Sequence, residues 1–333
     1  MGRRVEEEKL RTFKKYDNQK SVFKAAIERT EKIFELYEDD KIVVMFSGGK
    51  DSTAILFLTL IVAQKLNRKF SVFFVDQEFE NNVTVNFVDF IRENYKEYFV
   101  NFTWLCATMW RKISFLEERV IEVWSDDEKE NIRPFPEYCT RHDMRNKMPK
   151  RSSLLKKITA SYLAEQKMNG YAFILGLRAE ESLRRYIAVT SYAGIENINW
   201  SSKGNGARNY NFYSIYDWYE KDVWKFIHDY EIPYNKIYDI YFQKNLPFSE
   251  MRTASIINTH ALKKISIQKE IDIDYYEAIL KKLGAVAMFE EKSIAKIAVE
   301  NAQKLRKQRM NKEDNKLKYG KFKRLKGETE WIK

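Results

Sequence analysis

The run Ser47-Gly48-Gly49-Lys50-Asp51-Ser52 combines residue types that bind phosphate. Apolar residues precede it at 42–45 and follow it at 54–58, so a strand is predicted to end here and a helix to begin. Glycines let the backbone adopt unusual dihedral angles and approach a ligand closely. Free N–H groups at a helix start attract anions. The run therefore predicts a phosphate-binding loop.

The side chains of this run add further groups that bind phosphate or a metal ion. Ser47 and Ser52 offer hydroxyl donors, and Lys50 offers a positive charge. Asp51 is a candidate helix cap or a ligand for Mg²⁺, which prefers oxygen ligands. The run is not a Walker A loop, because G-x-x-x-x-G-K-[ST] has a different glycine spacing and a hydroxyl residue after its lysine. An ordinary Gly-Gly turn is the alternative interpretation.

A second group of candidate anion ligands follows the apolar run 172–177. Gly176 and Arg178 lie at its end, and Arg185 follows shortly after. Arginine suits phosphate oxygens because its guanidinium group stays charged and donates in a plane. In such a site, Glu181 is expected to hold one arginine in place. By itself this stretch also fits a charged helix start with surface ion pairs. Because the same sequence also contains the glycine loop, we interpret this stretch as an anion site.

Alternating strands and helices must position these loops. Strands are predicted at 41–46, 70–75, 102–106, 172–177 and 211–215, and helices at 21–38, 51–66, 83–98, 152–168 and 220–230. This alternation predicts an α/β fold with a doubly wound, mostly parallel sheet. Ligands bind such sheets at the carboxyl ends of the strands. Asp76, at the tip of the second strand, is therefore expected on the same edge as the glycine loop.

The expected organisation of the chain has four parts. They are a helical lead-in at 1–40, a nucleotide-binding α/β domain at 41–232 with an insertion near 109–150, a helical C-terminal region at 233–312 and a basic tail at 313–333. Within the α/β domain, residues 191–208 are rich in Ser, Asn and Gly and are expected to form a mobile loop. Asp217 is predicted to cap the helix that follows it.

Composition and cysteine usage exclude some classes of protein. The 333 residues are 44% hydrophobic, which is ample for one sizeable core. No run approaches the length of a membrane span and the first residues are charged, so a cytoplasmic location without membrane contact is expected. Cys106 and Cys139 lie in no C-x-x-C pair, so no iron–sulfur cluster is expected. Cys139 and His142 are interpreted as ordinary side chains rather than as zinc ligands.

The net charge of +11 is concentrated near the end of the chain. Between residues 303 and 333, Lys and Arg outnumber Asp and Glu by twelve to four, and Tyr319, Phe322 and Trp331 are interleaved with them. Such a stretch attracts phosphate backbones and offers stacking surfaces. A solvated helix with a basic end explains the same residues equally well, so nucleic acid is one of two open interpretations.

Taken together, the motifs resemble those of one family. Residues 47–52, Val75-Asp76, 176–185 and 218–227 occur in the order seen in the phosphoadenosine phosphosulfate (PAPS) reductase family. That family belongs to the PP-loop ATP pyrophosphatase superfamily of adenine nucleotide α-hydrolases. The resemblance covers roughly residues 20–250, and within the family it is greatest to the IbrA/YbdN-type branch.

The resemblance implies a role for each matching position. The loop residues would hold the terminal phosphates of ATP, PAPS or another adenine nucleotide; they are Ser47, Gly48, Gly49, Lys50, Asp51 and Ser52. Asp76 would lie near the adenosine, Gly176 and Arg178 would line the pocket, and Arg185 would be a further phosphate ligand. Lys50, Asp51 and Arg178 are the expected catalytic residues, and Mg²⁺, with Asp51 as a candidate ligand, would balance charge.

One departure from the family changes the expected reaction. Sulfonucleotide reductases carry a nucleophilic cysteine near the C-terminus, whereas no cysteine follows Cys139 here. We therefore expect an ATP pyrophosphatase that adenylates an acceptor. Such an enzyme would be classed as a transferase or a hydrolase. One alternative is a nucleotide-dependent regulator or nucleic-acid-binding protein that uses residues 303–333. The other is a sulfonucleotide reductase or transferase whose thiol comes from a protein partner.

Overall fold

The computed structural model describes residues 21–113, 119–146, 155–190, 194–195, 198–253 and 265–283. The strands are β1 (Ile42–Phe46), β2 (Phe70–Asp76), β3 (Phe99–Ile113), β4 (Arg119–Val123), β5 (Thr140–Asp143), β6 (Ala172–Leu175), β7 (Ser201–Lys203) and β8 (Tyr210–Phe212). The helices are α1 (Val22–Leu36), α2 (Lys50–Leu66), α3 (Asn82–Asn94), α4 (Leu155–Glu165), α5 (Leu183–Thr190), α6 (Glu220–Asp229), α7 (Ile237–Gln243), α8 (Ile265–Ile271) and α9 (Ile273–Lys282). The predictions for residues 1–20 and for the basic stretch 303–333 lie outside the described residues.

These strands form one mixed, mostly parallel sheet. Its order is β4-β3-β2-β1-β6-β8-β7, and β5 pairs with β3 off this path. β1 runs parallel to both of its neighbours, β2 and β6, whereas β4 and β7 are antiparallel to β3 and β8. The predicted α/β fold with a mostly parallel sheet is confirmed.

β1 and α2 occupy the middle of the hydrophobic core. Ile42 and Val44 have no solvent exposure and Val43 is also buried, so both faces of β1 are covered, as is usual for parallel strands. In α2 every residue from Ser52 to Leu60 is buried. Each large apolar side chain buried in this way contributes about 1.5–3 kcal/mol. The loop between β1 and α2 therefore joins two firmly packed elements.

The strand expected at 102–106 is much longer than the sequence indicated. β3 has 15 residues. It pairs with β2 up to Cys106, with β5 from Leu105 to Thr108, and with β4 from Met109 onward. The segment near 109–150 therefore contributes strands to the sheet. Trp124, just after β4, is fully buried and stacks on Phe135 with ring centroids 4.7 Å apart. Beyond residue 106, polar residues are interleaved with apolar ones, so the sequence pattern did not predict this extension of the sheet.

Two local predictions in the later half of the domain are wrong. Part of the expected mobile loop at 191–208 forms β7, whose Ser202 is buried and hydrogen-bonded to the Tyr213 hydroxyl at 2.7 Å. Asp217 does not cap α6, because its carboxylate accepts two hydrogen bonds of 2.8 Å from Arg29 in α1. The backbone N–H of Tyr219, at the helix start, donates instead to the Asp222 carboxylate.

Among the helices that the structure describes, none has both the length and the apolar character needed to cross a membrane.

Candidate functional site

The loop between β1 and α2 depends on two glycines that have no room for a side chain. Gly48 has a φ of +69°, and a Cβ atom there would lie 2.9 Å from Thr84 Cγ2. At Gly49, the N-cap of α2, a Cβ atom would lie 2.8 Å from Thr253 Oγ1. A larger residue at either position would require one of these threonine side chains to shift. Packing around the loop therefore disfavours a side chain at both positions, and the positive φ of Gly48 disfavours one further.

Hydroxyl groups close this loop on itself. The Ser47 N–H and the Ser47 hydroxyl both donate to Ser52 Oγ, at 3.2 and 3.0 Å. Ser52 Oγ in turn donates to the Gly49 carbonyl at 2.9 Å, and Thr53 Oγ1 donates to the same oxygen at 3.0 Å. The cap position belongs to Gly49, so the expectation that Asp51 caps the helix is wrong. The side chains that order the loop are hydroxyls.

Residues from the C-terminal part of the chain support the loop from behind. The Lys50 backbone N–H donates to the Tyr238 hydroxyl at 2.9 Å. The side-chain amide of Asn235, which has no solvent exposure, donates to the Gly48 carbonyl at 3.1 Å and to Thr84 Oγ1 at 2.8 Å. Burial raises the pKa of Tyr238, so its phenol stays protonated. These two supporting residues carry no sequence motif and were not predicted.

Two cations and several carboxylates meet at the start of α2. Lys50 is only 6% exposed, and its Nζ lies 3.3 Å from a Glu220 oxygen and 3.7 Å from an Asp51 oxygen. Arg178 is 3% exposed and donates from Nε to the other Asp51 oxygen at 2.6 Å. Its Nη1 donates to Glu180 at 2.9 Å. The structure therefore brings the predicted residues Lys50, Asp51 and Arg178 together.

Gly176 lets the end of β6 approach the start of α2. A Cβ atom at Gly176 would lie 2.5 Å from the backbone oxygen of Asp51 and 2.9 Å from the nitrogen of Ser52. Backbone atoms cannot move aside as a flexible side chain can. Gly176 therefore sets the distance at which Arg178, two residues later, reaches Asp51.

Arg185 lies in the electrostatic field of the same group of charges. It forms an ion pair with Glu181, the interaction expected from the sequence. Burial lowers the pKa of Arg185, and the nearby cations Arg252 and Arg178 lower it further, whereas Asp51 raises it. Cations and carboxylates therefore both gather beside α2, and the cations Lys50, Arg178 and Arg185 are the groups there that could bind an anion.

Asp76 lies at the carboxyl edge of the sheet, as expected, but its carboxylate is occupied. It is 1% exposed and accepts hydrogen bonds from Trp104 Nε1 at 2.9 Å, from the Glu78 N–H at 2.9 Å and from Arg133 Nη2 at 2.6 Å. Its expected position near an adenosine remains a prediction.

Around Asp76 lies a buried network of charged groups that sequence analysis missed. Burial, and to a smaller extent the neighbouring Asp76 carboxylate, raises the pKa of Glu80 to about 8. Burial also lowers the pKa of Arg111 to about 10. Among the described residues, no hydrogen-bond acceptor meets Arg133 Nε or Nη1. The alternating acids at 76, 78 and 80 are the only sequence signal for this network.

The described residues contain no group of three or more His, Cys, Asp or Glu side chains arranged to hold a metal ion. Mg²⁺ in nucleotide sites is commonly held by one or two carboxylates together with phosphate oxygens. Asp51, which already pairs with Arg178, fits that pattern only together with a bound nucleotide. Its role as an Mg²⁺ ligand remains a prediction.

Comparison with solved structures gives only distant similarity. FMN adenylyltransferase from Candida glabrata, in complex with FAD and inorganic pyrophosphate, is 13% identical, with a TM-score of 0.41, and the match covers 70% of this chain and 67% of that one. PAPS reductase from Candida auris, a phosphate complex, is 11% identical, with a TM-score of 0.35, and the match covers 72% and 92% of the two chains.

Sequence comparisons are more informative. The uncharacterized protein YbdN of Escherichia coli (strain K12) is 24% identical over 252 residues, which are 74% of this chain and 62% of YbdN. The chain thus matches less than two thirds of that relative's length, and the match is consistent with the expected IbrA/YbdN-type branch. The model of the phosphoadenosine phosphosulfate reductase domain matches residues 41–244, more than half of the chain. The chain therefore belongs to the phosphoadenosine phosphosulfate reductase domain family.

Proposed function

We propose that this protein is an adenylating enzyme that cleaves ATP between the α- and β-phosphates. The observation that carries the proposal is the convergence of Lys50 and Arg178 on Asp51 at the N-terminus of α2. A glycine-rich loop, a helix start and two buried cations at one point form a site for a polyphosphate. Family membership supports an adenine nucleotide as the ligand.

The proposed reaction assigns a task to each cation. The acceptor's nucleophile attacks the α-phosphorus, the bond to the bridging oxygen breaks, and pyrophosphate leaves with the electron pair. Lys50 and Arg178 stabilise the negative charge that develops on the leaving group. Mg²⁺, when bound with the nucleotide, would supply further neutralisation of that charge, with Asp51 as its protein ligand.

Carboxylates hold the two cations in place before the nucleotide binds. Glu220 lies 3.3 Å from Lys50 Nζ, and Glu180 bridges Arg178 Nη1 and the Glu220 N–H, each at 2.9 Å. A phosphate group entering the site replaces Glu220 as the partner of Lys50. The cations are thus positioned before the nucleotide binds, which lowers the entropic cost of ordering them around the transition state.

Residues 140–333 contain no cysteine, which favours adenylation over sulfonucleotide reduction. Reduction by the family route requires a thiolate to attack sulfur. A reductase or transferase that takes its thiol from a partner protein is the alternative. This alternative predicts that sulfite is released from PAPS when thioredoxin is added. The adenylation proposal predicts that no sulfite is released.

Labelled ATP tests the proposal. The full chain, with Mg²⁺ and candidate acceptors, should convert α-labelled ATP to AMP or an adenylated acceptor, and Lys50→Ala should abolish this turnover. Lys65→Ala is the matched control, because Lys65 lies in the same helix with a side chain that is 64% exposed. Failure to bind ATP, or release of ADP alone, would overturn the proposal.

A second candidate function rests on the charge of residues 303–333. Twelve basic residues against four acidic ones favour binding to nucleic acid, either as the acceptor or as a regulatory partner. Binding of single-stranded RNA or DNA should then fall steeply with salt and with removal of residues 303–333. Equal binding with and without these residues would refute this second function.

A further inference from the structure

The protein's two cysteines, far apart in the sequence, meet at the carboxyl edge of the sheet. Cys106 in β3 is the register partner of Arg141 in β5, so Cys139, two residues earlier, is its diagonal neighbour. The two thiols are close enough for each to shift the pKa of the other. With strands about 4.8 Å apart and a rise of about 3.3 Å per residue, diagonal neighbours in this parallel pair have Cα atoms roughly 8 Å apart, whereas a disulfide accepts up to roughly 6.8 Å. Forming a disulfide therefore requires the turn that carries Cys139, just before β5, to move toward β3.

The environments of the two thiols are unequal. Cys106 has no solvent exposure, whereas Cys139 is only partly buried. Burial raises the pKa of the Cys106 thiol. The hydrogen bond from Cys106, together with the positive charge of Arg141, lowers the pKa of Cys139. An accessible sulfur with thiolate character beside a buried thiol is the arrangement in which the first attacks a substrate and the second resolves the product.

The cysteine pair lies near the candidate nucleotide site but has no part in the proposed adenylation. Cys106 is the register partner of Asp76, so it lies one strand beyond β2 and two strands beyond β1. Adjacent strands are about 4.8 Å apart, which puts the pair on the order of 10 Å from the phosphate loop along the same edge.

We infer that Cys139 and Cys106 form a redox-active site that reacts with small disulfides. The Cys139 thiolate attacks a disulfide, forming a mixed disulfide and releasing one thiolate. Cys106 sulfur then attacks Cys139 Sγ, and the second thiol leaves with the proton of Cys106. The protein gains one internal disulfide, and the small disulfide is reduced to two thiols by the same two electrons.

Mass spectrometry of the intact full chain tests this inference, with glutathione disulfide as the probe. The wild-type protein should lose two hydrogen atoms without retaining an adduct. Cys106→Ser should instead accumulate one stable glutathione adduct on Cys139, and Cys139→Ser should react far more slowly because its remaining thiol is buried. A thermal melt shows whether each variant is folded. If Cys106→Ser is unstable, Cys106→Ala tests the resolving role of Cys106 in the same way.

Several outcomes would overturn the inference. A stable glutathione adduct on the wild-type protein would show that Cys106 does not resolve it. Equal reactivity of the two thiols, or an unreactive wild-type protein, would show that the pair is structural only. The pH dependence of alkylation by iodoacetamide adds an independent readout, since Cys139 should reach half its maximal rate below the value of about 8.5 that is typical of a free cysteine. None of these measurements depends on adenylation.

Discussion

Arg178 Nε donates to the Asp51 carboxylate over 2.6 Å, and this ion pair joins the end of β6 to the first turn of α2. Both side chains are largely buried, with exposures of 3% and 14%. Truncating one partner of such a pair leaves the other charge without compensation, which is costly. The site therefore depends on contacts between distant segments, and each of these contacts can be tested separately.

Replacing Glu220 with glutamine should tighten nucleotide binding. Glu220 lies 3.3 Å from Lys50 Nζ and must be displaced by an entering phosphate. Because its side chain is 30% exposed, the pair is worth about 0.5–1 kcal/mol, so a gain in affinity of about two- to fivefold is expected. Titration of ATP against both proteins measures it. Asp229→Asn, at the other end of α6, should leave affinity unchanged, whereas weaker binding by Glu220→Gln would contradict the arrangement.

Tyr238→Phe should alter the loop without disturbing α7 as a whole. The Tyr238 hydroxyl accepts a hydrogen bond from the Lys50 N–H, and its loss should cost about 1–3 kcal/mol of folding free energy. Tyr241→Phe is the matched control, because Tyr241 is equally buried in the same helix but bonds to Gln268. Chemical denaturation should show similar losses for both variants. ATP affinity should change only in Tyr238→Phe, and an equal effect of both variants would argue against support of the loop.

Gly176→Ala should lower both stability and nucleotide affinity. The added methyl group would lie 2.5 Å from the Asp51 carbonyl oxygen, and such overpacking typically costs about 1–3 kcal/mol. Gly170→Ala gives a useful contrast. Its φ of +75° makes alanine strained, yet a Cβ atom there meets nothing within 4 Å. The Gly170 variant should lose stability but keep its affinity for ATP; a Gly176 variant that binds ATP normally would be inconsistent with this geometry.

Glu80 should make folding stability depend on pH. Its pKa of about 8 in the folded protein exceeds the usual value of 4.5, so the folded state retains a proton that the unfolded state has released. The free energy of unfolding should therefore fall as pH rises from about 4.5 to 8, by up to about 1.4 kcal/mol per pH unit from this group. Denaturant unfolding at several pH values measures the slope. Glu80→Gln should flatten it and exposed Glu97→Gln should not; identical slopes in all three proteins would refute the effect.

The parts of the site that sequence analysis found are those built from contiguous residues. An apolar strand, two glycines and an apolar helix specify the phosphate loop within a dozen residues, and the glycine and arginine at 176 and 178 follow the same logic. Tyr238 and Asn235 were not predicted, because their roles depend on contacts with residues far away in the chain.

The mistaken predictions have the same origin. Asp217 has the residue type and position of a helix cap, but Arg29 from α1 competes for its carboxylate and forms the bidentate ion pair instead. The strand β7 was hidden because its serines are polar, although Ser201 and Ser202 are both buried. In each case a contact with a residue distant in the sequence outweighs the local preference. Such a contact cannot be predicted from the neighbouring residues alone.

Identification of the phosphate products from ATP tests the central claim most directly. Pyrophosphate and inorganic phosphate should be quantified separately in one reaction with Mg²⁺, ATP and candidate acceptors, for the wild-type protein and for Lys50→Ala. Pyrophosphate is predicted in amounts equal to the AMP or adenylated product, with none above background for the variant. Phosphate and ADP as the products, or pyrophosphate release that survives the loss of Lys50, would contradict the proposed function.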